Sequence, residues 1–267
     1  MISLGNEFSL VGLGQTQPEP EPDQEIYSFS KLSAHDTCPR MWQLTYLDKA
    51  PRKENAFSAF GTLVHSILER YAKHDLPLCA LADIYEWEWP LAFSGVAWPP
   101  NKYVSLEERY KEQGLTFFKE FRGLPGSAEI LGVEKHFEKH FGDFLFQGIA
   151  DLVYRDAGKL KILDWKTAKP YTKSDQAQKR RQLYLYASWM KDEFGSFPDE
   201  LIFYHIRDQR KVTTKFQEKD LSEAILWATK KVHELRTAWY FPPTPSDFFC
   251  KYICSVRGEC EHGGKYL

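Results

Sequence analysis

Two aspartates and a lysine set the chemistry available to this sequence. Between Gly148 and Lys169 the chain reads Gly-Ile-Ala-Asp151, an apolar run, a polar turn, and then Leu-Lys-Ile-Leu-Asp164-Trp-Lys166. Apolar runs flank Arg155-Asp156-Ala157-Gly158-Lys159, the pattern of a β-hairpin. With a loop of two residues (Ala157-Gly158) or four (156–159), cross-strand partners have numbers summing to 315. Asp151 then lies opposite Asp164, and Lys166 shares their face because side chains two apart on a strand point the same way. Carboxylates facing each other in a largely apolar hairpin repel by about 4 kcal/mol at ~4 Å and an effective dielectric of about 20. A divalent metal held by Asp151 and Asp164, with Lys166 at its edge, relieves that repulsion. An odd-numbered loop without a compensating bulge would separate the two carboxylates onto opposite faces.

Other elements must bring partners to this hairpin. Residues 56–71 carry Phe57, Phe60, Val64, Ile67, Leu68 and Tyr71 at helical spacing. Gly61 and His65 lie one turn apart there: Gly61 allows a second backbone to come close, and His65 projects into whatever covers that face. Taken alone, His65 reads more often as an ordinary hydrogen-bonded histidine. Residues 130–141 alternate as a strand leading to the hairpin, with Glu134 either an extra metal carboxylate or, more commonly, a solvated strand charge. A helix over 174–194 puts Gln182 and Tyr186 on one face. From Lys166 to Arg181 six basic residues (Lys166, Lys169, Lys173, Lys179, Arg180, Arg181) stand against one acid, Asp175. Such a run holds phosphates or is a solvated face.

The remaining chain reads as scaffold. A helix starts at Ser28 or Ser30 and runs to Thr37, Cys38-Pro39 interrupts it, and it resumes over Arg40–Leu47. Residues 76–104 hold Trp87, Trp89 and Trp98 in short helices and loops, where packing is the commoner role and a substrate-facing wall the rarer. Residues 106–121 form an amphipathic helix. A second hairpin spans 200–206 and 211–216, and a helix over 220–240 ends before Pro242, Pro243 and Pro245.

Composition narrows the function class. A formal charge of -2 over 267 residues excludes a globally basic nucleic-acid binder, so contact with DNA has to come from a local patch. Residues 1–25, rich in Pro and Glu, read as a disordered tail. There is no signal-peptide pattern and no long apolar run, which predicts a soluble cytoplasmic protein with no membrane partner. Five cysteines are too few and too scattered for a secreted disulfide scaffold, and in a reducing compartment a cluster reads as a metal site. Cys250, Cys254 and Cys260 form such a cluster, and Cys38 is the natural fourth ligand. Thiolates suit an iron–sulfur cluster or zinc, the latter with His262 as an alternative fourth ligand. Cys79 reads as a core residue.

In order, Gly61-x-x-x-His65, Gly148-x-x-Asp151, Asp164-x-Lys166 and Gln182-x-x-x-Tyr186 resemble the motif set of the RecB-like branch of the PD-(D/E)XK nucleases. The terminal cysteines resemble the split iron–sulfur arrangement of its AddB-type and CRISPR-associated members, and the likeness covers about residues 28–262. It implies an α/β fold: a mixed central β-sheet flanked by helices in a restriction-endonuclease-like core, with a helical elaboration and a cysteine-rich C-terminal staple. The domains would be a nuclease domain over 26–245 with a helical insertion at about 76–125, and a tail over 246–267 joined to Cys38. The implied activity is Mg²⁺- or Mn²⁺-dependent in-line hydrolysis of DNA, an exonuclease action on a free end or single strand, in recombination, repair or phage DNA processing. Carried over by residue, His65, Asp151, Asp164 and the Trp165 carbonyl ligate the metal. Lys166 orients the attacking water, and Gln182 and Tyr186 position DNA or the lysine. Lys169, Lys173, Lys179, Arg180 and Arg181 bind DNA, while Cys38, Cys250, Cys254 and Cys260 hold a [4Fe-4S] cluster. Recombination or CRISPR-type proteins are the implied partners. Two departures stand out. The first cysteine gap is three residues where the family usually has two, and Ala150 replaces the proline of the family name. The competing readings are a non-catalytic DNA-binding or complex-assembly subunit and a zinc-stapled interaction protein.

Overall fold

The computed structural model describes residues 25–168 and 173–266, with side chains from 176 onward in the second stretch. Strand β1 (Ile26–Tyr27) leads into helices α1 (Phe29–Thr37), α2 (Pro39–Tyr46) and α3 (Ala56–Ala72). Helices α4 (Leu81–Ala92) and α5 (Leu106–Glu120) precede strands β2 (Glu129–Phe141), β3 (Phe144–Asp156) and β4 (Lys159–Lys166). Helix α6 (Lys173–Phe194), strands β5 (Glu200–His205) and β6 (Arg210–Lys215) and helix α7 (Glu218–Thr237) follow. The tail predicted over 1–25 lies outside the described residues except for Glu25, whose carboxylate accepts hydrogen bonds from Arg236 and Tyr27.

Local chemistry explains the boundaries. Ser28 caps α1, its Oγ accepting from the Lys31 N–H at 3.1 Å. Asn55 and Ser58 exchange hydrogen bonds as a capping box that starts α3. Cys38 ends α1 and caps α2, with Pro39 at the first helical position where its missing N–H costs nothing. The last helix stops at Thr237, three residues short of the predicted end, with Ala238 already extended.

The sheet is mixed and runs β1-β3-β4-β5-β6, with β2 on the other edge of β3. Pairing is parallel for β1–β3 and β4–β5 and antiparallel elsewhere. The β3–β4 hairpin has the two-residue loop: Ala157 and Gly158 take φ of 49° and 77°, the mirror-image turn that matches strand twist. Leu152↔Leu163, Val153↔Ile162 and Asp156↔Lys159 keep the predicted sum of 315. Helices cover both faces. One layer, with α1, α2, α6 and α7, buries Phe146, Val153, Ile162 and Phe203. The other, with α3, α4 and α5, buries Leu152, Leu163, Trp165 and Tyr204.

Two features position the site. Because β2 occupies one edge of β3 from Phe144 to Arg155, β1 and β4 share the opposite edge: β1 on Leu145 and Phe146, β4 from Leu152 onward. Residues 147–151 are left uncovered between them. Second, β2 and β3 change faces together. Phe137 and Ala150 belong to the α6 layer, whereas Val133 and Leu152, of the same parity, belong to the α3 layer. The switch falls at Glu134 and Asp151, and Glu134 takes φ 46°.

Two expectations fail on tertiary grounds. Cys79 is exposed, on a short surface turn, not in the core. Among the described residues, a Cβ on Gly61 would meet Thr167 Oγ1 at 3.5 Å and no backbone. The close approach belongs instead to Gly148, where a Cβ would come within 2.5 Å of the Phe137 ring and 2.8 Å of the Tyr186 ring. Of the tryptophans, Trp89 and Trp98 stack in the α3–α5 layer and Trp87 is exposed.

Candidate metal and nucleic-acid site

At the face switch, side chains from both helical layers reach one point. From the α3 layer, His65 Nδ1 lies 3.5 Å from Asp151 Oδ2. From the α6 layer, Gln182 donates to Asp164 Oδ1 at 3.1 Å and accepts from Lys166 Nζ at 3.1 Å. Tyr186, one turn further along α6, places its hydroxyl 3.2 Å from Gln182 Nε2. Lys166 Nζ is 2.6 Å from Asp164 Oδ2. The β3–β4 ladder ends at Leu152↔Leu163, one pair short of the aspartates, because the Trp165 N–H donates to the Asp151 carboxylate at 2.8 Å. The sequence-predicted residues His65, Asp151, Asp164, Lys166, Gln182 and Tyr186 therefore come together.

Asp164 is 4 % exposed, and its Oδ2 is buried without a hydrogen bond despite the ion pair to Lys166. Asp164 and Asp151 are two buried carboxylates side by side, a costly arrangement that a bound cation corrects. Burial, reinforced by the charge of Asp164, holds the Asp151 carboxyl well above the usual carboxylate range. Burial pulls His65 down, leaving a neutral imidazole able to bind metal. Burial also pushes the Tyr186 hydroxyl up to about 12, so it stays protonated as a hydrogen-bonding group. The donor set, one imidazole and several carboxylate oxygens, fits Mg²⁺ or Mn²⁺.

These shifts carry a pH prediction. An acid whose pKa rises on folding binds its proton more tightly in the native state, so metal-free stability falls as pH rises from the ordinary 3.8 through the raised value. A divalent ion competes with that proton. The increase in Tm produced by Mn²⁺ is expected to grow with pH across this window. In Asp151→Asn the metal-free Tm at neutral pH should exceed that of the wild type, and the Mn²⁺ shift should collapse. Thermal unfolding with and without Mn²⁺ checks both.

A cleft opens at the uncovered edge of β3, lined by Ser28, Ser33, His136, Gln147, Lys166 and Lys179. Of the basic run, Lys179 faces this cleft, whereas Arg181 stacks on the Trp227 ring at 5.0 Å and Arg180 bonds back to Gln176 within α6. The helix turns these neighbours to different sides, so they are not one continuous patch. Lys169 and the Lys173 side chain lie outside the described residues. Glu134, read above as either an extra metal carboxylate or, more commonly, a solvated strand charge, stands at the site with His65 and Asp151. Its signal was its place opposite Asp151 once the strands were paired.

At the far end of α1, Cys38, Cys250, Cys254 and Cys260 line one pocket with Met41, Leu44 and His262. All four are free thiols. The N–H groups of Met41 and Thr244 donate to Cys38 Sγ at 3.4 Å each, and that of Ser246 donates to Cys250 Sγ at 3.5 Å. Burial and the three neighbouring cysteines raise the Cys254 thiol. Four cysteines on one pocket, with N–H groups donating to the sulfurs of Cys38 and Cys250, could hold a thiolate-bound metal.

A family model described as the PD-(D/E)XK nuclease superfamily matches residues 26–261. "Gene 69 protein" of Mycobacterium phage D29 is 25% identical over 266 residues, spanning 88% of this chain and 96% of that protein. Among solved structures, that of SSO0001 is 16% identical and covers 90% of this chain and 87% of its own, with a TM-score of 0.39, too low to bear on fold or function. No helix among the described residues is long and apolar enough to cross a membrane.

Proposed function

The chain belongs to the PD-(D/E)XK nuclease superfamily, and we propose that it is a Mg²⁺- or Mn²⁺-dependent deoxyribonuclease of the RecB-like branch. It acts as an exonuclease on DNA with a free end or a single strand, in the cytoplasm, during recombination, repair or phage DNA processing. The observation that carries this reading is the meeting of His65, Asp151, Asp164, Lys166 and Gln182 around a buried Asp164 oxygen that lacks a hydrogen bond. A non-catalytic binding subunit has no use for buried, mutually repelling carboxylates.

His65, Asp151, Asp164 and the Trp165 carbonyl would hold the metal, which supplies charge neutralisation at the phosphate and lowers the pKa of water. Asp151 fixes the Trp165 peptide through its N–H, which sets where that carbonyl points. Asp164 and Gln182 hold the Lys166 ammonium, so its charge is aimed before substrate arrives and no reorganisation is needed during reaction. Tyr186 steadies Gln182, and Lys179 offers a phosphate contact along the cleft. The nuclease domain spans 26–245 with 76–125 as a helical insertion, and the tail over 246–267 is tied to Cys38. Cys38 together with Cys250, Cys254 and Cys260 of the tail holds a [4Fe-4S] cluster. Zinc is the second reading, favoured by His262 on the same pocket.

Labelled single- and double-stranded DNA incubated with Mn²⁺ should lose nucleotides from free ends, blocked ends should protect, and chelator should stop the reaction. Cleavage that persists under chelation, or intact DNA with both Mg²⁺ and Mn²⁺, would overturn the proposal.

A further inference from the structure

We propose that a cationic pocket with aromatic walls, between the start of α3, the loop after α4 and the C-terminal tail, binds the phosphate and base of single-stranded DNA as a second contact remote from the carboxylates. The inference deepens the nuclease reading and rests on it for the identity of the substrate, though not for the chemistry of the pocket.

The tail forms the pocket by docking beside α3. The Lys53 N–H donates to the Ser255 carbonyl at 2.8 Å, and the Asn55 side chain, while capping α3, donates to the Ile253 carbonyl at 3.0 Å. Residues 95–98 supply a third side, and the space between them is about 460 Å³, within the usual range for small-ligand sites. A helix rises about 1.5 Å per residue, so the stretch of α3 from Asn55 to His65 sets the pocket about 15 Å from the carboxylate site.

The charges there are unbalanced. Lys53, Lys251 and Arg257 line the pocket against one acid, Glu54. Among the described residues none of these three cations forms an ion pair. Asp247, which accepts from the Tyr266 hydroxyl, is paired with Lys265 at 3.7 Å. Arg257 donates through Nη1 to the Lys251 carbonyl at 2.7 Å, which fixes the guanidinium against the tail. Two buried donors in the same walls, Trp98 Nε1 and Arg257 Nε, have no acceptor. Unpaired cations and unanswered donors around one space call for an acceptor-rich anion, and a phosphodiester is one.

The rings narrow the choice of anion. Tyr252 and Tyr266 are half-buried in the pocket wall, whereas Trp98 packs on Phe93 and Trp89 behind it. Tyrosine rings beside unpaired cations match a nucleotide, whose base stacks while its phosphate meets the ammonium groups. An acidic peptide answers the cations and leaves the rings idle. A base lies on a ring only once it has left its own stack, so the occupant is a single strand and not a duplex. At a stacked spacing of ~3.4 Å, about four or five nucleotides span the distance to His65, so one strand can touch both places.

Fluorescence anisotropy of a labelled oligothymidine of about 15 nucleotides, in buffer without Mg²⁺ or Mn²⁺ so that the strand stays intact, tests this. Each lost phosphate contact lowers the slope of log K against log salt by about 0.7, so Lys53→Gln with Lys251→Gln, both at exposed positions, should lower it by about 1.4. Tyr252→Ala should weaken binding about fivefold or more at fixed salt. Lys230→Gln, exposed on α7, should change neither. An iodouracil-substituted strand should photocrosslink to Tyr252 or Tyr266. Wild-type slope and affinity in the pocket variants, with crosslinks only elsewhere, overturns the pocket, and DNA cleavage by the same protein would leave the nuclease reading standing. A pocket that takes poly-glutamate and no oligonucleotide overturns it as well. Crosslinks at Tyr252 and a lowered slope in a protein that never cleaves DNA support the pocket and count against the nuclease reading.

Discussion

Asp164→Ala and Lys166→Ala are each expected to reduce Mg²⁺- or Mn²⁺-dependent DNA cleavage by about 10³-fold or more. The two lose activity for different reasons. Asp164→Ala removes a proposed metal ligand and frees the Lys166 ammonium from one of its holders. Lys166→Ala removes the ammonium paired with Asp164, leaving metal affinity largely in place but the phosphate charge uncompensated. Stability should separate them. Asp164→Ala relieves the charge that raises Asp151 and should keep the metal-free Tm close to that of the wild type. Lys166→Ala leaves a buried carboxylate without its partner and should lower it by a few degrees, with Mn²⁺ restoring the loss. Initial rates on end-labelled DNA, alongside melting curves, give both readings. Cleavage near the wild-type rate in either variant would remove these residues from the mechanism.

The second large effect is expected at the cysteines. The proposed cluster predicts a brown, iron-containing wild type on anaerobic purification, and a Cys254→Ser protein that is colourless, without stoichiometric iron, and has a much lower Tm. Cys254 is buried with Leu44 and Val256, and shares its pocket with Cys38 from the opposite end of the described chain. Closing a loop of over two hundred residues restricts the unfolded chain by about 5 kcal/mol, and metal–thiolate bonds add to that. Cys79→Ser, at an exposed site away from this pocket, should change neither property. Absorption, iron content and thermal unfolding decide the matter. A colourless, zinc-loaded wild type would remove the iron–sulfur cluster and keep the staple.

Much of the site was legible because its spacing is local. The register of the hairpin follows from loop length, and Gln182 meets Tyr186 because helical residues four apart are neighbours. What sequence could not show was set by tertiary geometry. Val133 and Phe137 have the same parity and read as one face, yet they enter opposite layers because Glu134 turns the strand between them. That turn brings Glu134 to the site, where His65 reaches Asp151 from one helical layer and Gln182 reaches Asp164 from the other. Glutamate gives no warning of a positive φ as glycine would. Arg181 likewise reads as part of a phosphate-binding run until Trp227 of α7 is placed beneath it. The exposure of Cys79 depends on how a short turn sits on α4 and α5, which no periodicity encodes.

The turn at Ala157-Gly158 has a bearing on how such a protein can diverge. Its constraint falls on length more than on identity. Other residue pairs that tolerate positive φ would keep Asp164 and Lys166 facing α6, so drift by substitution is absorbed there. One residue more or fewer, uncompensated by a bulge, would send both side chains to the α3 layer and bring Trp165 round in their place. The candidate site would then vanish in a single mutational step that touches none of its members.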